Sequence, residues 1–215
     1  MCTIFSMLTG MIDLVYELLD EHYPRDIGFI ESRSPYEHLI AVIMSAQTTD
    51  RQVNLVTPEL FLKYPTPADL AQADQADIER IIHPVGFYRV KARNIIAAAG
   101  VIHESFNDEV PHEMDSLLSI PGVGRKSANV IRGGCYGYPA VIVDTHFGRV
   151  VYRIGLTESK NPDVIEKDIT GQIVPEKQYR FSMTVNLHGR EICHAKKPEC
   201  GECLLVGLCL RRGLL

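Results

Sequence analysis

Apolar residues recur at helical spacing from early in the chain. Met11, Leu14, Val15 and Leu18 fall three or four apart, while Asp13, Glu17, Asp20 and Glu21 lie off that stripe, so an amphipathic helix is expected there. Ser34-Pro35-Tyr36-Glu37 reads as an N-cap, a proline at the first helical position and a capping-box glutamate, ahead of the apolar run Leu39 to Ala46. Thr66-Pro67-Ala68-Asp69 repeats that pattern for another short helix. Tyr88 to Ser105 carries Val90, Ile95, Ile96 and Val101 on a long alanine-rich helix. Only Ala140 to Val143 has strand character, and so short a segment cannot found a sheet. No internal repeat or low-complexity linker interrupts the pattern. The expected fold class is all-α, built from many short helices.

At 215 residues the chain is long enough for one large domain or two small ones. Its 46% apolar and 23% charged residues exclude a disordered or collagen-like polymer. A net charge of −5 excludes a uniformly basic nucleic-acid coat. No apolar run reaches the roughly 18–20 residues a bilayer span needs, so no membrane partner is expected. Met1 to Gly10 is mildly apolar but lacks the basic segment of a secretion signal. It reads as a short extension, with Met7 and Met11 as alternative starts to Met1, and the expected location is the cytoplasm. Charge is segregated: Asp13 to Glu31 holds six acids and one base, whereas Arg80 to His103 holds Arg80, Arg89, Lys91 and Arg93 and no acid. Ser116 to Val143 likewise has Arg125, Lys126 and Arg132 without an acid. These basic segments are candidates for phosphate contact, and the plain alternative is ordinary solvated helix faces.

Of six cysteines, Cys2 and Cys135 stand apart, and Cys193, Cys200, Cys203 and Cys209 cluster at spacing C-x6-C-x2-C-x5-C. In a chain of this size without a secretion signal, four thiolates in one loop point to a metal centre rather than disulfides. Structural zinc sites usually pair two close-spaced arms across a longer insert, and only Cys200 and Cys203 form such an arm. One continuous loop suits a [4Fe–4S] cluster. The spacing favours iron–sulfur modestly and leaves zinc open.

Ile120-Pro121-Gly122-Val123-Gly124-Arg125-Lys126-Ser127 carries a second signal. A helix from about Pro111 to Ser119 stops at Pro-Gly-Val-Gly, and another starts at once. Glycines on both sides of Val123 let backbone amides face outward at a helix N-terminus, a ready phosphate site. This is a helix–hairpin–helix, expected over about 112–134, which grips a phosphodiester backbone without reading bases. Lys126 lies in the first turn of the second helix, where the helix dipole, and any partial burial, favours the neutral, nucleophilic amine. Asp144, in Ala140-Val141-Ile142-Val143-Asp144-Thr145-His146, opens a further helix. It reads as an N-cap, and a capping carboxylate held in one rotamer can also serve catalysis.

Together the hairpin IPGVGRKSAN, the loop ending in VDTH, the segment HGREIC and the four-cysteine loop resemble the endonuclease III family of DNA glycosylases, in order and spacing, over roughly residues 11–212. The resemblance implies two helical domains with a DNA-binding cleft between them. One, a six-helix domain, spans 28–138 and contains the hairpin; the other joins 1–27 to 139–215 and carries the cluster loop, 193–209. It implies a [4Fe–4S] cofactor held by Cys193, Cys200, Cys203 and Cys209. It also implies a bifunctional enzyme of base excision repair, acting as a monomer on double-stranded DNA that contains damaged pyrimidines or abasic sites, in the cytoplasm or on the nucleoid of a prokaryote.

By the same resemblance Lys126 is the nucleophile and Asp144 the assisting carboxylate. Gln47 matches the residue that fills the space of an extruded nucleotide, and Phe87 aligns with a wedge residue that is commonly leucine. Their plain alternatives are a buried amide cap and a core phenylalanine. Gly122, Val123, Gly124, Arg125, His146, Lys196 and Lys197 are the remaining expected DNA contacts. Two features depart from the family pattern: the acidic net charge, and Phe147-Gly148 after VDTH, where the glycine is expected to loosen the Asp144 turn. The rival readings are a monofunctional adenine or mismatch glycosylase, which would lack a lysine at position 126, and a non-catalytic DNA-binding relative.

Overall fold

Helix signals and helices coincide where the capping chemistry is explicit. The computed structural model describes residues 2–214, with side chains from residue 10 onward, and holds eleven helices and no strand among them. The described chain divides into two compact units, Gly28–Tyr136 and the segments on either side of it.

In the first unit, α2 (Pro35–Met44), α3 (Asp50–Lys63), α4 (Pro67–Ala71), α5 (Gln75–Ile81), α6 (Tyr88–Phe106), α7 (Met114–Leu118) and α8 (Arg125–Tyr136) surround one apolar core. Ser34 caps α2 by accepting from Glu37 N at 3.2 Å. Glu37 does not complete the expected capping box: its carboxylate accepts instead from Arg33 N, one residue before the cap, at 2.7 Å. The shorter Asp69 closes the box on Thr66 in both directions. α6 is the central element, packing against α2, α4 and α5, while α8 lies on α2 and α7. Leu39, Ile40, Ile95, Ala98 and Ala99 are fully buried there.

The other unit holds α1 (Cys2–His22), α9 (Thr145–Ile154), α10 (Pro162–Thr170) and α11 (Pro175–Glu191). α1 begins well upstream of the apolar stripe that predicted it. α11 packs on α1 and α9, and the Phe147 and Phe181 rings meet edge to face at 5.9 Å. Gly155 closes α9 at φ +100, where a Cβ would overlap Leu210. Residues 140–143 form neither helix nor strand. Ala140, Val141 and Ile142 are buried, and Ile142 N donates to Ser182 Oγ at 3.0 Å, so a side chain of α11 replaces the missing ladder partner.

Candidate active site

The hairpin between α7 and α8 is shorter on its first arm than its sequence suggests, since α7 covers only Met114–Leu118. Val123 N donates to Ile120 O at 3.1 Å to close the turn, and Val123 and Ile120 anchor it in the core. Gly122 takes φ +82, and a Cβ there would lie 3.0 Å from Ile43 Cγ2 and 3.4 Å from Asn94 Cβ. Backbone sign and close approach both require glycine at this position. Gly124 has open space around it, so packing does not explain its identity. Arg125 and Lys126 are exposed in the first turn of α8, so burial plays no part at Lys126.

The contacts of Gly122 tie the hairpin to α2, four residues before the expected gap-filler Gln47, and to α6, seven residues after the expected wedge Phe87. Both residues are exposed, which removes the buried-amide and core-phenylalanine alternatives. Both have left-handed backbones, Gln47 at φ 54 and Phe87 at φ 58. Their turns meet, because the Cβ direction of Gly86 points to Thr48 Oγ1 at 3.5 Å and Gln47 O at 3.8 Å. Lys91, grouped by sequence with candidate phosphate-binding bases, is instead buried, with Nζ donating to Thr48 Oγ1 at 2.7 Å.

In the other unit Asp144 is the N-cap of α9, with Oδ1 accepting from Phe147 N at 2.7 Å. Gly148 does not loosen this turn. Its N donates to Asp144 O at 2.9 Å, and Phe147 beside it is fully buried. His146 is half-buried, its Nδ1 3.3 Å from Arg149 Nη2.

Cys193, Cys200, Cys203 and Cys209 line one pocket after α11, and none is in a disulfide. Arg153 of α9 is buried and organises the loop, donating to Cys193 O at 3.3 Å, Cys193 Sγ at 3.2 Å, His194 O at 2.7 Å and Ala195 O at 2.9 Å. Arg149 adds bonds to Cys193 O at 2.9 Å and Gly189 O at 2.6 Å. His188 Nε2 lies 3.4 Å from Cys203 Sγ, and Tyr23 Oη lies 3.0 Å from His188 Nδ1. Burial, with repulsion from the neighbouring thiolates, pushes the Cys203 and Cys209 thiols up. Such a set of donors fits a cationic iron–sulfur centre, which favours the thiolate forms that burial alone resists. Lys196 and Lys197 are exposed on the span between Cys193 and Cys200.

Sequence reasoning missed Arg153 and Lys91. Lys91 shares the spacing of Tyr88, Ala92 and Ile95, so a lysine inside an apolar stripe was the available signal. Arg153 sits beside Ile154 on the strongly amphipathic α9, and only tertiary structure shows what it holds.

A hairpin carrying a lysine, a capped aspartate and a four-cysteine loop define a class. Residues 40–175 match the HhH-GPD superfamily of base excision DNA repair proteins, and residues 193–209 match the iron–sulfur binding domain of endonuclease III. Endonuclease III of Synechocystis sp. is 44% identical over 194 residues, covering 89% of this chain and 88% of the relative. A solved non-covalent endonuclease III–DNA complex is 37% identical with a TM-score of 0.88, covering 94% of each chain. A trapped endonuclease III–DNA covalent intermediate has the same TM-score and identity, covering 94% of this chain and 95% of that one. The chain belongs to the endonuclease III family, and its cofactor is a [4Fe–4S] cluster.

Proposed function

We propose the following division of labour in a bifunctional DNA glycosylase/AP lyase of base excision repair. Lys126 is the nucleophile: its neutral amine attacks C1′ of a flipped nucleotide, the bond to the damaged base breaks, and the base leaves with the bonding electrons. Opening of the sugar leaves an imine between Nζ and C1′. Loss of a proton from C2′ then expels the 3′ phosphate by β-elimination, and water releases the lysine. Asp144, held in one rotamer by Phe147 N, moves the protons and stabilises positive charge developing on the sugar.

The observation that carries this reading is the hairpin: Gly122 at φ +82 turns the chain so that an exposed Lys126 stands in the first turn of α8. The amides of that turn and Arg125 take one strand's phosphates, with Lys196 and Lys197 on the other unit contributing further charge. Gln47 enters the space left by the extruded nucleotide, and Phe87 parts the neighbouring bases. Cys193, Cys200, Cys203 and Cys209 hold the cluster, which when bound acts as a structural clip on the basic loop. The substrates are duplexes with oxidised pyrimidines or abasic sites, bound by a monomer, in the cytoplasm or on the nucleoid.

A duplex with a single thymine glycol tests the reading. The expected product is a strand cut 3′ to the lesion without alkali. Base loss that becomes scission only after alkali would make the protein a monofunctional glycosylase and remove the lyase role from Lys126.

A further inference from the structure

Lys91 is costly to the fold. It is 5% exposed, and no carboxylate lies against it among the described residues; its hydrogen-bond partner is the Thr48 hydroxyl. It also sits in the first turn of α6, where the helix dipole disfavours a cation. Burial pushes its ammonium below the usual lysine range. An apolar side chain of similar length would fill this position without desolvating a charge.

What the ammonium holds accounts for its presence. Thr48 stands between Gln47 and Thr49, and Thr49 is the N-cap of α3. Gln47 and Phe87 both occupy left-handed backbone, which is strained for a non-glycine residue. Asn107, another left-handed residue, closes α6 as an ordinary C-cap, whereas Phe87 opens the helix from that conformation with no side-chain cap bond. Strain of this kind persists only where surrounding contacts enforce it. Gly86 lies on Thr48 and on the Gln47 carbonyl, and Lys91 reaches from the helix that Phe87 opens to the Thr48 hydroxyl.

We propose that Lys91 is a positioning residue that locks the Gln47 turn to the Phe87 turn, so that the two side chains enter the duplex as one unit. This inference rests on the assignment of Gln47 and Phe87 as the inserting residues. Lys91 touches neither DNA nor the reacting atoms; it acts through Thr48.

The test is single-turnover excision of thymine glycol by Lys91→Met, Thr48→Val, Gln47→Ala and the Lys91→Met/Gln47→Ala pair. Two duplexes are used, one with adenine opposite the lesion and one with a tetrahydrofuran abasic analogue opposite it, where no base pair must be broken. Lys91→Met is expected to slow excision about tenfold opposite adenine and less than about twofold opposite the analogue, with a melting temperature at or above that of the unaltered protein. Thr48→Val should reproduce the pattern from the acceptor side, so the proposal stays testable if Lys91→Met fails to fold. The double variant should be no slower than Gln47→Ala alone. Equal losses on both duplexes with a lowered melting temperature would reduce Lys91 to a structural role and overturn the proposal. So would an unimpaired Lys91→Met beside an impaired Gln47→Ala. An unimpaired Gln47→Ala opposite adenine would instead overturn the insertion reading itself, and the Lys91 proposal with it.

Discussion

Gly189 of α11 lies against the backbone of His146: a Cβ on the glycine would stand 3.0 Å from His146 Cβ and 3.1 Å from its carbonyl oxygen. That contact sets how closely α11 approaches the first turn of α9, the turn that Asp144 caps. Gly189→Ala gains helix propensity but forces the two helices apart. A net destabilisation of about 1–2 kcal/mol is expected, read as a lower denaturation midpoint. A variant as stable as the original protein would show that the contact is easily relaxed.

Asp144 combines a cap and a carboxylate, and two substitutions separate them. Asparagine caps a helix about as well as aspartate, so Asp144→Asn should keep its stability within about 0.5 kcal/mol while excision falls by orders of magnitude. Asp144→Ala should lose activity and also about 1 kcal/mol of stability. Urea unfolding beside single-turnover excision checks both, and an active Asp144→Asn would remove the carboxylate from the chemistry.

Arg153 satisfies three loop carbonyls and a thiol of the cluster loop. Arg153→Met leaves His194 O and Ala195 O without this donor, at a cost of about 1–3 kcal/mol for each that water cannot reach, while Cys193 O keeps its bond from Arg149. Purified Arg153→Met should contain less iron per chain and show a weaker visible band than the unaltered protein. Lysine should rescue it poorly, because one ammonium cannot reproduce a planar fork. Full iron content in Arg153→Met would show that the loop orders without the arginine.

Asp77 governs part of the acid limb of stability. Hydrogen bonds from Lys63 and Tyr64, then Arg80, hold its carboxyl down at about 2 from an ordinary 3.8. A folded value below the unfolded one means the stabilisation is complete above about pH 4 and is lost as pH falls towards 2. The Lys63 and Arg80 side chains are 50% and 60% exposed, so the contribution is about 1 kcal/mol rather than the full shift. The stability difference between the unaltered protein and Asp77→Asn should therefore shrink between about pH 4 and pH 2. A difference that stays constant across that window would contradict the assignment.

Sequence reasoning succeeded where the chemistry is local. The caps at Ser34 and Thr66, the turn at Gly122, the Asp144 cap and the thiol spacing are all set by neighbours within a few residues. α3 escaped notice because Pro58 lies inside it and its apolar stripe is weak. α11 escaped because its buried face carries Gln178, Ser182, Asn186 and His188, polar residues that interrupt the apolar stripe; Ser182 and His188 are met from elsewhere in the fold, by Ile142 N and Tyr23. Phe147-Gly148 misled for a related reason: burial of Phe147 against Phe181 of α11 anchors the turn, and no local pattern reveals that neighbour. Lys91 reads as a surface cation until Thr48 is seen beside it.

The most direct test of the central claim is borohydride trapping on the thymine glycol duplex, with Lys126→Gln run alongside. Lys126→Gln should keep its affinity for the duplex, because the hairpin amides remain. The account predicts a covalent protein–DNA adduct that disappears in Lys126→Gln. An adduct that persists in the variant, or base excision by the unaltered protein with no adduct at all, would contradict it.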